Sequence, residues 1–258
     1  MTSQTPFYTY DEIMLCVASA QILDREVALI GTGLPMLAAT LAKHTHAANA
    51  VMIYESGLID TNPIEVPVSV ADPRIMFGTT TFASLYSTLG LLQRGVIDVG
   101  FLGGAEVDQF GNMNATAVGD YTHPTLRLPG SGGANDIASL ANRVIILMKH
   151  EKRRFPIKVS YNTSPGFLNG GNSRKEAGLK GGGPSKLISD LAVMDFEPGS
   201  HRMRVRSIHP GITREQIQDS TGFDLLWAED LNVTTAPTKI QLEIIHQLDP
   251  KGIFLKNN

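Results

Sequence analysis

A single cysteine, Cys16, stands among the 258 residues. That scarcity excludes an intrachain disulfide and any cysteine-based metal cluster, and it fits a reducing compartment. Long apolar runs are also missing: no window approaches the roughly 20 residues that span a bilayer. The first residues, MTSQTPFYTYDEIM, show no basic stretch leading into an apolar one, so a cytoplasmic protein without a signal peptide or membrane contact is expected. Neither sign of charge is in excess. A net charge of −3 and an isoelectric point near 6.2 give no reason to expect nucleic acid or an anionic membrane as partner.

Motif by motif, other chemistries drop out as well. There is no G-x-S-x-G, which removes the α/β-hydrolase elbow. There is no G-x-x-x-x-G-K-[ST] phosphate loop, and Gly31-Thr32-Gly33 is too short and wrongly spaced for a dinucleotide fingerprint. His44 and His46 lie two apart at a helix end and point to different faces, while His123, His150 and His209 each stand alone. No metal is expected. Internal repeats and low-complexity tracts are absent too.

What is present is a globular chain, 42% apolar and 18% charged, long enough for an ample core and read as a single domain over residues 1–258. Short apolar strands are predicted at EVALI (26–30), VMIY (51–54), VIDVGFLGG (96–104) and VIILM (144–148). Between them lie helical segments. Asp11 to Gln21 has an apolar face, the segment starting at Pro35 places proline in a first turn, and TTTFASLYSTLGLLQRG runs from a threonine cap to a stop at Gly95. AEVDQFGNMNATAVGD reads as a hairpin or tight loop around Gly111-Asn112, and TKIQLEIIHQLDP as an amphipathic helix. Alternation of this kind predicts an α/β fold: an open, mainly parallel sheet flanked by helices, with additional antiparallel strands in the C-terminal part, where KLISDLAVMDF and MRVRSIHPG follow one another. GLKGGGPSK (178–186) is expected to be a flexible loop at the surface or an interface.

Three loops follow predicted strands, at the edge where open α/β sheets bind ligands: GTGLP, YESG and GSGGA. Glycine there lets backbone amides approach a ligand, although each loop alone is equally well a tight strand-to-helix turn. The middle loop delivers Glu55 from a buried strand, as nucleophile, ligand or ordinary polar residue. An E-S-G at a strand end with two glycine loops, and no histidine or cysteine, suits a reaction that needs a carboxylate nucleophile and little proton transfer. Acyl transfer between a thioester and a carboxylate is such a reaction. The basic run KHEKRRF (149–155) reads as a solvated strand exit that could also meet ligand phosphates.

Longer motifs in fixed order, GTGLP, YESGLID, FLGGAEVDQFGNMNAT, GDYTHPTLRLPGSGGANDIA, HEKRRF, TSPG and IHPGITREQI…TGF, cover nearly the whole chain. Through them it resembles the B (β) subunit of family I CoA-transferases, in the glutaconate CoA-transferase branch that includes two-subunit 3-oxoadipate CoA-transferases. The resemblance implies that Glu55 is the nucleophile of a ping-pong reaction through a glutamyl-CoA thioester. It implies an oxyanion hole of backbone amides around Gly132, Gly133 and Ala134. It further implies coenzyme A as a carried substrate, with no permanently bound cofactor, contacting Gly31, Thr32, Gly33, Leu34, Pro35, Ser56, Gly57, Gly103 and Gly104. Ser56, where 3-oxoacid transferases carry asparagine, favours the glutaconate-type branch. The presence of Glu55 separates the chain from relatives that lost this glutamate and perform decarboxylation or ring hydrolysis. Glu106, where many relatives have glutamine, is read as either structural or catalytic. A CoA-transferase α (A) subunit is implied as partner in a heterotetramer or hetero-octamer, with a dicarboxylic acid or its 3-oxo derivative as substrate and a lean towards 3-oxoadipate. The alternatives are an acyl-CoA hydrolase on the same scaffold and a non-catalytic small-molecule-sensing domain. The ~25 residues before the first strand are too few for the DNA-binding module such sensors carry, given the ~50-residue minimum of most domains.

Overall fold

The computed structural model describes residues 7–31, 33–69 and 72–255. In chain order these form α1 (Tyr10–Ser19), β1 (Val27–Ile30), α2 (Leu34–Thr45), β2 (Val51–Tyr54), β3 (Leu58–Ile59), β4 (Thr81–Phe82), α3 (Leu85–Gln93), β5 (Val99–Leu102), β6 (Glu106–Val107), β7 (Met113–Asn114), β8 (Ala117–Gly119), β9 (Pro124–Arg127), α4 (Ala134–Leu140), β10 (Arg143–Leu147), α5 (Ser173–Glu176), β11 (Pro184–Ile188), β12 (Ala192–Phe196), β13 (Met203–Ile208), α6 (Arg214–Asp219), β14 (Leu226–Val233) and α7 (Lys239–Leu248).

Ten strands join one sheet in the order β14-β13-β12-β11-β10-β5-β1-β2-β3-β4. From β11 to β2 every neighbouring pair is parallel. The expected antiparallel strands are there, β12 running against β11 and β13. The opposite edge adds a pair the sequence did not announce: β3, antiparallel to β2, and β4, antiparallel to β3.

Strand alternation divides the core between the two faces. Ala28, Ile30, Met52, Tyr54, Val99, Phe101, Ile145 and Leu147 join the cluster that includes residues of α1, α2 and α7. Leu29, Ile53, Val144 and Ile146 belong to the opposite cluster, with Ile137 and Ala138 of α4. Because these central strands are buried on both sides, they read as unbroken apolar runs. Gly100 brings α4 close to the sheet: a Cβ at that position would lie 2.3 Å from Ile137 Cγ2.

Caps set the helix limits. Thr9 accepts from the Glu12 amide at 3.2 Å, and the Glu12 carboxylate accepts from the Thr9 amide at 2.6 Å, a reciprocal pair that starts α1. For α3 the expected threonine cap is corrected. Thr81 and Phe82 are pinned to Leu58 and Ile59 as a strand, so the helix starts only after Ser84, whose Oγ accepts from the Ser87 amide. Gly95 ends α3 as expected, at φ +71°, with the Gly95 and Val96 amides returning to Leu92 and Leu91.

Candidate active site

Parallel strands that lie side by side end on one edge. Ile30 of β1 pairs with Tyr54 of β2, and Leu102 of β5 with Ile146 of β10, so the loops leaving all four strands gather there. Glu55 is the first residue beyond β2. A tight turn follows, closed by the Gly57 amide donating to the Tyr54 carbonyl at 2.9 Å, and it reverses the chain into β3. Tyr54 is buried and burial pushes its hydroxyl up to about 12, so it stays neutral beneath the turn. Gly57 has φ +102°, and a Cβ there would fall 1.9 Å from the Ala83 carbonyl oxygen, while the Ala83 amide donates to the Gly57 carbonyl at 2.7 Å. Only glycine satisfies both conditions. The turn is thereby fastened to the segment that enters α3.

The Glu55 carboxylate is half-buried, and among the described residues it accepts no hydrogen bond and forms no ion pair. Its nearest constraint is backbone. A Cβ on Gly133 would stand 2.6 Å from Glu55 Oε2 and 3.3 Å from Leu89 Cδ2 of α3, so the absence of a side chain at Gly133 is what admits the carboxylate. Two of the three expected loops, E-S-G and G-S-G-G, therefore meet, with Leu89 of α3 beside the second and the residues leading into α3 against the first.

The amides of the second loop divide. Ala134 donates to the Ser131 carbonyl at 2.9 Å and Asn135 to Ser131 Oγ at 3.1 Å, so Ser131 closes the start of α4. The Gly132 and Gly133 amides have no hydrogen-bond partner among the described residues. Expected beside them as a donor, Ala134 is already committed to the turn.

The other candidates spread along the edge. Gly31 leaves β1 close against β5, where a Cβ would meet the Phe101 carbonyl oxygen at 3.0 Å. Gly33 precedes α2 at φ +85°; Leu34 is half-buried and Pro35 buried in its first turn. Thr32 lies outside the described residues. Ser56 is exposed on the turn beside Glu55. Gly103 and Gly104 leave β5, where would-be Cβ atoms would meet the Leu147 and Asn114 carbonyl oxygens at 3.2 Å each. Glu106 is buried at the foot of the β6–β7 hairpin, accepting from Asn114 Nδ2 at 2.7 Å and from the Ser160 amide and hydroxyl at 2.8 and 2.9 Å. Its oxygens join the hairpin to the loop near residue 160. In the basic run, Arg153 and Arg154 pair with Glu151, and Lys152 is exposed.

The candidate histidines fall into two kinds. His150 and His209 sit in the core, the first between Ser189 Oγ (3.0 Å) and Thr221 Oγ1 (2.9 Å), the second between Thr234 Oγ1 (2.9 Å) and the Ser189 carbonyl (2.8 Å). Burial pulls both down to about 4 and keeps them neutral. His44 and His123 are exposed. Sequence reasoning missed Leu89 and Ser131. A serine before G-G-A-N-D was a legible helix-start signal; nothing local marks Leu89.

Comparison with known proteins gives the family. Residues 13–220 match the family profile described as Coenzyme A transferase. The chain is 42% identical over 245 residues to the B subunit of 3-oxoadipate CoA-transferase from Pseudomonas knackmussii, covering 95% of this chain and 94% of that protein. It is 36% identical over 255 residues to the B subunit of glutaconate CoA-transferase from Acidaminococcus fermentans, covering 96% of each. The crystal structure of glutaconate coenzyme A-transferase from the latter organism superposes with a TM-score of 0.92 at 36% identity, over 99% of this chain and all of the matched one.

Proposed function

The chain belongs to the coenzyme A transferase family, and on that premise we propose that Glu55 carries CoA between two acids as a covalent glutamyl thioester. The observation that supports this most directly is the Glu55 carboxylate, half-buried at the sheet edge, without a hydrogen-bonding partner among the described residues, and pressed against Gly133. A carboxylate kept only for structure would be expected to hold loop amides, as Glu106 does.

The chemistry balances without a proton donor. A Glu55 oxygen attacks the thioester carbonyl of an acyl-CoA, and the carbonyl π electrons move onto the oxygen. The Gly132 and Gly133 amides, unpartnered among the described residues and beside Glu55, are the donors for that oxyanion. Collapse expels CoA thiolate and leaves a mixed anhydride. The thiolate then attacks the Glu55 carbonyl, the first acid departs as its carboxylate, and a glutamyl-CoA thioester remains. A second carboxylate takes up the CoA by the reverse steps. Losing one oxyanion donor of this type costs ~10²–10³ in rate.

Among the described residues, the loops holding Gly31, Gly33, Leu34, Pro35, Ser56, Gly57, Gly103 and Gly104 are the rim along which the CoA arm would lie. The acceptor is a dicarboxylic acid or its 3-oxo derivative. 3-Oxoadipate stands ahead of glutaconate, in line with the higher identity to the 3-oxoadipate relative. An α-type partner chain completes the site, in a heterotetramer or hetero-octamer; that both relatives are named as B subunits supports such a partner.

The test is to co-express the chain with an α-type partner, add acyl-CoA, reduce with borohydride and map the modified peptide by mass spectrometry. Reduction at Glu55, absent in Glu55→Gln, is the expected result, with Glu55→Gln folded and transfer undetectable. Acyl-CoA consumption with Glu55 unmodified, or with no acceptor acid needed, would replace the transferase reading by a hydrolase.

A further inference from the structure

Arg174 sits in α5 between solvent-facing neighbours, Lys175 and Glu176 on one side and Asn172 on the other, yet it is only 5% exposed. Its guanidinium is filled with backbone carbonyls. Nε donates to Gly181 at 2.9 Å, Nη1 to Pro165 and Gly166 at 3.1 and 2.9 Å, and Nη2 to Ala138 and Ser139 at 2.7 and 3.2 Å. All five N–H groups are accounted for, and no carboxylate pairs with it among the described residues. Burial lowers its pKa to about 10, which still leaves a cation at neutral pH.

Removing such a cation from water is costly, and well-packed apolar side chains join segments at least as firmly. What an apolar residue lacks is the fork. Ala138 and Ser139 lie in the last turn of α4, where carbonyls have no helical partner and carry the negative end of the helix dipole. The adjacent glycines close on the same end: Gly181 donates to Ser139 at 2.9 Å and Gly182 to Ala141 at 3.2 Å. A Cβ on Gly181 would lie 2.5 Å from the Ala141 carbonyl oxygen, and one on Gly183 would lie 3.1 Å from Arg174 Nε. The part of GLKGGGPSK expected to be mobile surface is therefore, at Gly181–Gly183, a fitted seat. At the other end of α4, about 10 Å away at 1.5 Å per residue, Gly133 meets Glu55.

We propose that Arg174 is a positioning residue for the reaction: by clasping the C-terminal end of α4 it sets the distance between the Gly132–Gly133 amides and Glu55. The proposal rests on the reading of Glu55 as nucleophile given above. A helix held at its middle by the Gly100–Ile137 contact and at its far end by a five-bonded cation cannot slide along its axis. A slide of that kind is what would spoil an oxyanion contact.

Arg174→Lys in the complex with the α-type partner keeps the charge and removes the fork. Borohydride trapping counts competent sites, and turnover is then expressed per trapped site. The expected result is a 10- to 100-fold fall in turnover per site with KM for acyl-CoA within twofold, the pattern of an interaction made in the transition state. A purely structural role would lower the number of trapped sites and leave turnover per site at the wild-type value, which overturns the proposal. If Arg174→Lys gives no folded complex, Gly183→Ala decides. It keeps the guanidinium but presses on it, and it is expected to lower turnover per site several-fold; wild-type turnover per site would overturn the proposal equally. A wild-type enzyme with Glu55 unmodified would instead remove the nucleophile reading, a separate failure.

Discussion

Replacing Gly133 by alanine puts a methyl carbon where the Glu55 carboxylate now lies. The built Cβ is 2.6 Å from Oε2, and ordinary van der Waals contact begins near 3.4 Å, so the carboxylate must withdraw by about 0.8 Å. The backbone at Gly133, φ −80° and ψ 0°, is open to alanine, so no strain accompanies the change. Glycine-to-alanine exchange at a compatible site stabilises by roughly 0.4–1 kcal/mol through the unfolded chain. Leu89 Cδ2, 3.3 Å from the new methyl, gives part of that back. Net stability should therefore change by less than ~1 kcal/mol, a melting shift of a few degrees at most. Activity should respond far more, because a misplacement near 1 Å at a reacting centre costs about 10²-fold. That is about 2.7 kcal/mol of barrier at 1.36 kcal/mol per decade. The assay is CoA transfer by the assembled enzyme with saturating acceptor acid, alongside thermal melting of the same preparation. A folded Gly133→Ala enzyme within threefold of wild type would refute the reasoning, since the carboxylate would then not depend on the bare backbone beside it.

Gly57→Ala should behave in the opposite manner. Its Cβ collides with the Ala83 carbonyl oxygen at 1.9 Å in a left-handed conformation, so a loss of several kcal/mol is expected, roughly 2–4; an unchanged denaturant midpoint would contradict the geometry. His150 and His209 predict an acid-side loss of stability. Their folded pKa values, lowered to about 4 from an ordinary 6.5, mean that the unfolded chain binds more protons in between. The stabilisation is complete above pH ~6.5 and disappears as pH falls towards 4, about 3 kcal/mol per histidine at the limit. Urea unfolding at pH 7.5, 6 and 5 measures this, and His150→Asn should flatten the slope; an identical slope in the variant would remove His150 as a cause.

Much of this arrangement was legible in the sequence, for identifiable reasons. Strands buried on both faces show as apolar runs, so 51–54 and 144–148 stood out, and a carboxylate closing such a run is conspicuous. Proline in the first turn of α2 and the glycine stop after α3 are local signals and held. What escaped reading was non-local. Leu58–Ile59 and Thr81–Phe82 are too short to show alternation and are strands only through partners elsewhere in the chain, β2 and each other. Arg174, in the polar string NSRKE, looks like a solvated charge; segments distant in sequence, at Ala138–Ser139, Pro165–Gly166 and Gly181–Gly183, converge to bury it. The meeting of Gly133 with Glu55, some 80 positions apart, was expected only through the family resemblance, since neither motif alone carries a trace of it.

Where Glu55 meets its facing loop the contact is made with main chain, a glycine that adds nothing and a turn built on another glycine, while Arg174 holds the helix behind from its far end. Geometry written in backbone is indifferent to most neighbouring side chains. Over evolutionary time, residues around the rim can therefore drift and retune which acid is accepted while the reaction itself is inherited intact. The same property makes the scaffold suited to directed evolution of acid preference: libraries belong on the side chains of the rim, and Gly57 and Gly133 should be left out of them.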